Sequence, residues 1–150
     1  MTRKLWFSCL MILGLIIILV PQALSVNLKD YDSEKYDIAV KINNSPAFTK
    51  GKVDFLVCYN PFTILIKAHT LPLLYPNKVF LYPKSYQNSQ FDIVIAHELG
   101  HLEYRHHTGN TERAQTESDR FAVRIVGKKS LRDYRISQGF SKDHYLIKNL

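Results

Sequence analysis

The chain has 150 residues, of which 46% are hydrophobic and 22% are charged. These values indicate one folded domain and exclude an intrinsically disordered protein. The formal net charge is +7, but the chain contains no basic motif interleaved with aromatic residues, so we expect no nucleic-acid partner. Cys9 and Cys58 fall in segments of different character, and no disulfide is expected between them. Cys58 is predicted to be a small buried hydrophobic residue.

Residues 1–25 have the features of a targeting segment. Arg3 and Lys4 precede an apolar run at residues 5–20, which a proline closes and small residues follow. The run is slightly long for the core of a signal peptide and short for a membrane span, so a cleaved signal peptide and an N-terminal membrane anchor both fit it. In either case residues 26–150 are predicted to form an exported or membrane-anchored domain outside the cytoplasm. Membrane association would run through the apolar run.

The remaining chain predicts short strands first and helices second. A polar linker is expected at residues 27–35, and the predicted strands are residues 36–42, 53–59 and 78–82. Residues 62–68 are expected to be a strand or a short apolar segment, and residues 71–77 a loop. The first predicted helix is capped by Asn88 or Ser89, runs through His106 and is stopped by Gly109. The second covers Glu112–Val126, with a cap at Asn110 or Thr111 and a stop at Gly127. The third starts at a capping box at Ser130 and ends near Gly139, and a short final helix is expected at residues 141–149. The predicted fold class is α+β, with a small sheet of three or four strands followed by three or four helices.

The first of these helices carries the sequence HELGH, from His97 to His101, which is an HExxH motif. Residues i and i+4 of a helix lie above one another, so His97 and His101 can offer two imidazole nitrogens to one metal ion. Glu98 is then placed to act on a metal-bound water, and Gly100 allows another element to approach closely. The motif predicts one Zn²⁺ per chain and hydrolysis of a peptide or protein substrate, with Glu98 as the general base.

A hydrolytic zinc site needs a third protein ligand. His107 stands six residues after His101, which is the metzincin spacing, but Tyr104 occupies the position of the metzincin glycine that turns the chain back. On an unbroken helix, His107 would point about 120° away from His101 and lie about 9 Å along the axis. His106 and His107 are therefore predicted to be exposed residues at the helix end.

The next predicted helix contains QTESDRFA, from Gln115 to Ala122. Together with HELGH, this sequence resembles the gluzincin metallopeptidases, the thermolysin-like and HtpX-like group and their minimal ImmA/IrrE-type relatives. Their second helix carries Glu-x-x-Ser/Ala-Asp, often followed by x-Phe-Ala. The resemblance covers residues 93–126 and implies a zincin-like fold. It also implies a glutamate zinc ligand at the position of Gln115, and an orienting role toward a metal-bound histidine for Asp119.

Gln115 departs from the family pattern because a neutral amide oxygen is a poorer zinc ligand than a carboxylate. By their spacing, Glu112, Gln115 and Asp119 share one face of the helix, whereas Glu117 is rotated about 200° from Gln115. This geometry favours Asp119 as the third ligand, with Glu117 and then Gln115 as alternatives. The alternative function is a catalytically impaired zincin-fold module that binds metal or protein.

Two further features concern the substrate. The predicted strand at residues 78–82 precedes the motif helix and is expected to be an edge that aligns an extended peptide by β-addition. Tyr134, His144 and Tyr145 are candidates to stabilise the tetrahedral oxyanion. With the metal ligands, these features define a candidate site between the motif helix and the helix that follows it.

Overall fold

The computed structural model describes residues 25–58, 68–70, 72, 74–82, 89–107, 111–141 and 144–148. The predicted targeting segment, apart from Ser25, lies outside these residues, as do Cys9, most of the predicted strand at 62–68 and the proposed helix stop at Gly109. Among the described residues, no helix is long and apolar enough to span a membrane.

The described chain forms four strands and six helices, which in chain order are β1 (Ser25–Asn27), α1 (Leu28–Tyr31), α2 (Ser33–Asn43), β2 (Asp54–Cys58), β3 (Ala68–His69), β4 (Lys78–Leu81), α3 (Phe91–Glu103), α4 (Glu112–Val126), α5 (Lys128–Ser137) and α6 (Tyr145–Lys148). The predicted α+β class and the small sheet are confirmed. The predicted order is wrong, because two helices precede β2. The expected polar linker at residues 27–35 contains α1 and the start of α2.

The segment at residues 36–42 was expected to be a strand and lies in helix α2. Its apolar residues fit two periods, since they alternate but also follow the three- and four-residue spacing that buries Ala39 and Ile42. Asp32 decides between the two periods. Its side chain accepts a hydrogen bond from the backbone N–H three residues later at 3.0 Å and so caps the helix.

The sheet has the strand order β1-β2-β4-β3. Strand β2 is parallel to β4, with Phe55 opposite Val79, while β1 and β3 are antiparallel to their neighbours. The prediction of a substrate-aligning edge at residues 78–82 is therefore wrong. Strand β4 is an interior strand, since β2 pairs with one side of it and β3 pairs with the other side at Phe80 and Leu81.

The main hydrophobic core lies between the sheet and helices α3 and α4. Its central buried residues are Phe55, Val57, Val79, Leu81, Ile95, Leu99 and Phe121. Strand alternation sends Cys58, Phe80 and Tyr82 to the other face, where they form a smaller cluster. Cys58 is fully buried, and burial raises the pKa of its thiol to about 12. Its prediction as a small buried hydrophobic residue is confirmed.

Helix α4 crosses α3 at Gly100. A Cβ atom built on Gly100 would lie 2.7 Å from the Cα atom and 3.0 Å from the carbonyl oxygen of Ser118. Both of these are backbone atoms of α4, which cannot move aside without moving the helix. The predicted close approach at Gly100 is thus confirmed, and the approaching element is the helix that carries the second motif.

The ends of α4 are as predicted, whereas those of α3 and α5 are shifted. Thr111 caps α4 by accepting a hydrogen bond from the N–H of Ala114 at 3.1 Å, and Gly127 ends it with a φ of 85°. Helix α3 has Gln90 as its N-cap and ends at Glu103, before His106. Helix α5 begins directly after Gly127, two residues before the expected capping box.

Replacing Gly100 by alanine is expected to lower the free energy of unfolding by about 1–3 kcal/mol, because the added methyl group forces α4 away from α3. This cost exceeds the gain of roughly 1 kcal/mol in helix propensity. Urea unfolding followed by circular dichroism measures the effect. The control is Arg132→Ala at an exposed position of α5, with an expected change within about 0.5 kcal/mol. A Gly100→Ala protein as stable as the parent would contradict the close crossing.

Candidate metal centre

His97 and His101 lie one turn apart on α3 and face each other. Their Nε2 atoms are 3.1 Å apart, and their ring planes meet at 87°. Two imidazole nitrogens bound to one tetrahedral Zn²⁺ at about 2.0–2.1 Å are separated by roughly 3.3 Å. The separation of the two Nε2 atoms is therefore close to that of two ligands of one ion. The structure thus brings the ε nitrogens of the two predicted histidine ligands close together.

Asp119 approaches His97 from the other side of the imidazole ring. Its Oδ1 atom lies 2.7 Å from Nδ1 of His97, and Arg135 of α5 donates to both carboxylate oxygens, with Nε 3.0 Å from Oδ2. Burial by itself raises the pKa of Asp119, but the hydrogen bonds and charges of His97 and Arg135 outweigh it and hold this pKa below its usual range. An ionised Asp119 accepts a hydrogen bond from the Nδ1–H group of neutral His97, which leaves Nε2 of His97 with a free lone pair.

This contact differs from the direct coordination that helical spacing favoured for Asp119. Both of its oxygens are engaged, one by His97 Nδ1 and both by Arg135. A carboxylate that holds the outer nitrogen of a metal-binding histidine fixes the orientation of the ring. The resemblance to gluzincins implies such a contact at this position, and its role toward a metal-bound histidine stays a prediction.

Glu117 is likewise engaged by groups other than the paired ε nitrogens. Its carboxylate oxygens accept hydrogen bonds from Nε2 of His106 and from Nε of Arg113, each at 2.8 Å. Within the described ranges, no group of three or more His, Cys, Asp or Glu side chains is arranged to hold a metal ion. Glu117 and Asp119 of α4 thus act as hydrogen-bond partners of histidines, and Gln115 stays a predicted candidate for the third ligand.

His106 belongs to this site, although it was expected to be exposed. Its side chain is 10% exposed. Its Nδ1 atom lies 2.9 Å from Nδ1 of His101, and its Nε2 atom contacts Glu117. His107, the next residue, is exposed as predicted. The prediction that His106 is exposed is therefore wrong, since this histidine contacts a predicted metal ligand.

The end of α3 explains how His106 reaches His101. The N–H of His106 donates to the carbonyl oxygen of His101 at 3.1 Å, and the N–H of Arg105 donates to that of Leu102 at 3.2 Å. These two bonds form a Schellman motif, which folds the chain back over the last turn. Arg105 holds the left-handed position with a φ of 51°. Glycine is the usual residue there, so the motif has no recognisable signal in this sequence.

Glu98 lies in a buried position beside the histidines and is 7% exposed. Burial raises the pKa of Glu98, while the charge of His97, a hydrogen bond from Thr70 and the charge of Arg135 oppose the rise. Thr70 follows β3, next to His69, whose ring stacks on both Phe80 and Tyr82. The sheet thus presents a hydroxyl group to the carboxylate that was predicted to be the general base.

The three oxyanion candidates fall in different surroundings. Tyr134 is 5% exposed. Burial raises the pKa of its hydroxyl, the charge of Arg135 opposes the rise, and the charges of Glu98 and Asp119 add to it. Tyr134 is therefore within electrostatic reach of the centre. The ring of His144 contacts those of Phe140 and Tyr145, each with its centroid 4.5 Å away.

Comparisons of the chain with protein-family models, curated proteins and solved structures found no match. The resemblance to gluzincins accordingly remains a prediction from two motifs, with the contacts of His97, His101 and Asp119 as its geometric support.

Replacing Asp119 by alanine is expected to lower the free energy of unfolding by about 3–5 kcal/mol. The variant leaves the guanidinium of Arg135, whose side chain is 11% exposed, without its buried partner. Asp133→Ala is the matched control, because it breaks the exposed ion pair of Asp133 with Lys129. That loss is expected to cost less than about 1 kcal/mol. Urea unfolding compares the two variants, and equal effects would contradict the buried role of Asp119.

Proposed function

We propose that the chain is a zinc-dependent peptidase in which His97 and His101 bind one Zn²⁺ and Glu98 is the general base. The observation that carries this proposal is the pair of Nε2 atoms 3.1 Å apart on one helix. Two imidazole lone pairs that face each other at this distance repel unless a proton or a cation lies between them. Neutral imidazole nitrogens are preferred ligands of Zn²⁺, so the donor set fits the ion.

The chain's own groups have separable tasks in peptide hydrolysis. A bound zinc ion supplies Lewis-acid polarisation of a carbonyl group and makes water more acidic. Glu98 accepts the proton of the attacking water on a carboxylate oxygen and delivers it to the leaving amine. Its burial raises its pKa, which makes it a stronger base than an exposed glutamate. The hydroxyl of Tyr134 is the favoured candidate to stabilise the oxyanion, since it lies within electrostatic reach of Glu98.

We assign the third ligand to the side-chain oxygen of Gln115. This residue lies one turn before Asp119 on α4, and residues four apart share a helix face. Asp119 and Glu117 both serve as hydrogen-bond partners elsewhere. An amide oxygen carries no charge, so this assignment implies weaker zinc binding than a glutamate would provide.

The fold and setting of this peptidase follow from the same features. A helix with paired histidines, crossed by a helix that contributes Asp119, supports a zincin-like fold for residues 26–150. The charged start and apolar run at residues 5–20 support a location outside the cytoplasm, with or without a retained anchor. The substrate class is a peptide or protein, because the hydrolytic groups are those of a metallopeptidase.

A second function is favoured by Gln115. If the neutral ligand holds zinc too weakly for catalysis, the chain is a zincin-fold module that binds metal or protein without cleaving it. The two functions share the histidine pair and differ in whether Glu98 transfers protons.

Zinc analysis of the purified full chain is expected to give one ion per chain, lost in His97→Ala and in His101→Ala. Glu98→Gln should retain zinc and lose peptide hydrolysis by a factor of at least about 10², as measured with a fluorogenic peptide mixture. The control is His107→Ala, which removes an exposed histidine. Zinc binding without hydrolysis by the parent chain would favour the binding module. Absence of zinc from the parent chain would exclude the zinc peptidase and the metal-binding form of the module.

Replacing Gln115 by glutamate is expected to tighten zinc binding by about 10-fold or more, since a carboxylate replaces a neutral oxygen at the ligand position. Competition with a chromogenic chelator measures the dissociation constant. Glu112→Gln is the matched control, because it alters an exposed residue one turn earlier on the same helix and should leave the constant unchanged. An unchanged constant in Gln115→Glu would remove Gln115 from the site.

A further inference from the structure

We propose that His106 and Glu117 are positioning residues for His101. They hold the orientation of its imidazole ring and keep its proton on Nδ1, so that its Nε2 atom is unprotonated and can bind a metal ion. This inference rests on the proposed binding of zinc by His97 and His101. It gives His101 a partner that corresponds to Asp119 on His97. The partner of His101 is the imidazole of His106, which is itself hydrogen-bonded to the carboxylate of Glu117, whereas His97 contacts the carboxylate of Asp119 directly.

The contacts form a continuous line of side chains. Nδ1 of His101 lies 2.9 Å from Nδ1 of His106, and Nε2 of His106 lies 2.8 Å from Oε2 of Glu117. The second oxygen of Glu117 accepts a hydrogen bond from the exposed Arg113 at 2.8 Å. Ser118 Oγ is 3.5 Å from Nδ1 of His106, which is at the limit of a hydrogen bond. The dominant partner of Nδ1 of His106 is therefore His101.

The order of these groups determines where each proton resides. An ionised carboxylate only accepts, so Glu117 requires the proton of neutral His106 to be on Nε2. Nδ1 of His106 is then an acceptor, and the short contact requires the proton of neutral His101 to be on Nδ1. The Nε2 atom of His101 consequently carries a lone pair and faces Nε2 of His97. Without His106, either tautomer of His101 would be available.

The backbone provides a second line of support. Arg105 holds a φ of 51°, in the left-handed region that costs a non-glycine residue conformational energy. This residue is the turning point of the motif that brings His106 back to His101. A more ordinary end of α3 would leave His106 on the helix surface. The conformation at Arg105 thus serves the contact between the two histidines.

The position of His106 also argues for an orienting role over direct coordination. His106 contacts the δ nitrogen of His101, whereas the ε nitrogen of His101 faces His97. Its other ring nitrogen is occupied by Glu117. Both ring nitrogens of His106 thus have partners other than the ε nitrogens of the histidine pair. A hydrogen-bond partner on the outer nitrogen typically changes metal affinity by 10–100-fold.

The test compares four variants of the full chain: His106→Phe, Glu117→Gln, and the controls His107→Phe and Glu112→Gln, which alter exposed residues. Long-range ¹⁵N–¹H NMR of the metal-free proteins reports which nitrogen of His101 carries the proton. Chelator competition reports the zinc dissociation constant.

In the parent chain we expect the proton of His101 on Nδ1. His106→Phe should shift it toward Nε2 and weaken zinc binding 10–100-fold with one ion per chain retained, and Glu117→Gln should act in the same direction. Both controls should match the parent.

Several outcomes would overturn this inference. One is a parent chain with the proton of His101 on Nε2. Another is that His106→Phe and Glu117→Gln both have the same His101 tautomer and the same zinc dissociation constant as the controls. A changed visible spectrum of the Co²⁺-substituted protein in His106→Phe, with a loss of donor nitrogen, would make His106 a ligand instead. The NMR readout needs no metal, so it decides the role of His106 even if the parent chain binds no zinc. Circular dichroism confirms that each variant is folded, and Glu117→Gln preserves side-chain size if His106→Phe does not fold.

Discussion

Helices α3 and α4 cross so closely that no side chain fits between Gly100 and the backbone of Ser118. The rest of the candidate centre depends on this contact. With the two helix axes this near, residues on either side of Ser118 can reach side chains of α3 directly. A bulkier residue at position 100 would separate the helices, and the hydrogen bonds between them would lengthen with the separation.

The crossing also explains why two acids only two residues apart contact different histidines. Neighbouring residues on a helix are rotated by about 100°, so Glu117 and Asp119 project to opposite sides of Ser118. Asp119 meets His97, on the N-terminal side of Gly100. Glu117 meets His106, which the end of α3 has folded back past His101. The histidines therefore form a row with a carboxylate at each end, and the two ε nitrogens face each other within it.

The residues along this row differ in charge and burial, and these differences determine their roles. Asp119 is fully buried and is kept ionised by His97 and Arg135, whereas Glu117 is partly exposed and forms an ion pair with Arg113 at the surface. Glu98 is also buried and accepts a hydrogen bond from Thr70, which follows β3. The sheet thus supplies an environment for the proposed base, and α4 and α5 supply the orientation of His97. Burial, with the nearby charges of His97 and His106, lowers the pKa of His101 to about 2, so its imidazole is neutral at physiological pH.

The amino-acid sequence by itself determined the motif helix, the bounds of α4 and the close approach at Gly100. These are local properties, since hydrophobic spacing, a capping threonine and glycines act within a few residues. It did not decide between strand and helix at residues 36–42, where both periods fit and the cap at Asp32 settled the outcome. It also placed β4 at an edge, because strand order depends on pairings between distant segments. The role of His106 was decided by tertiary structure alone. Arg105, whose backbone is in the left-handed region, turns the chain there, and the carboxylate that contacts His106 belongs to Glu117 of another helix. The four-residue spacing of His97 and His101 thus predicted that the two imidazoles are neighbours, whereas their hydrogen-bond partners depend on how α3 and α4 cross.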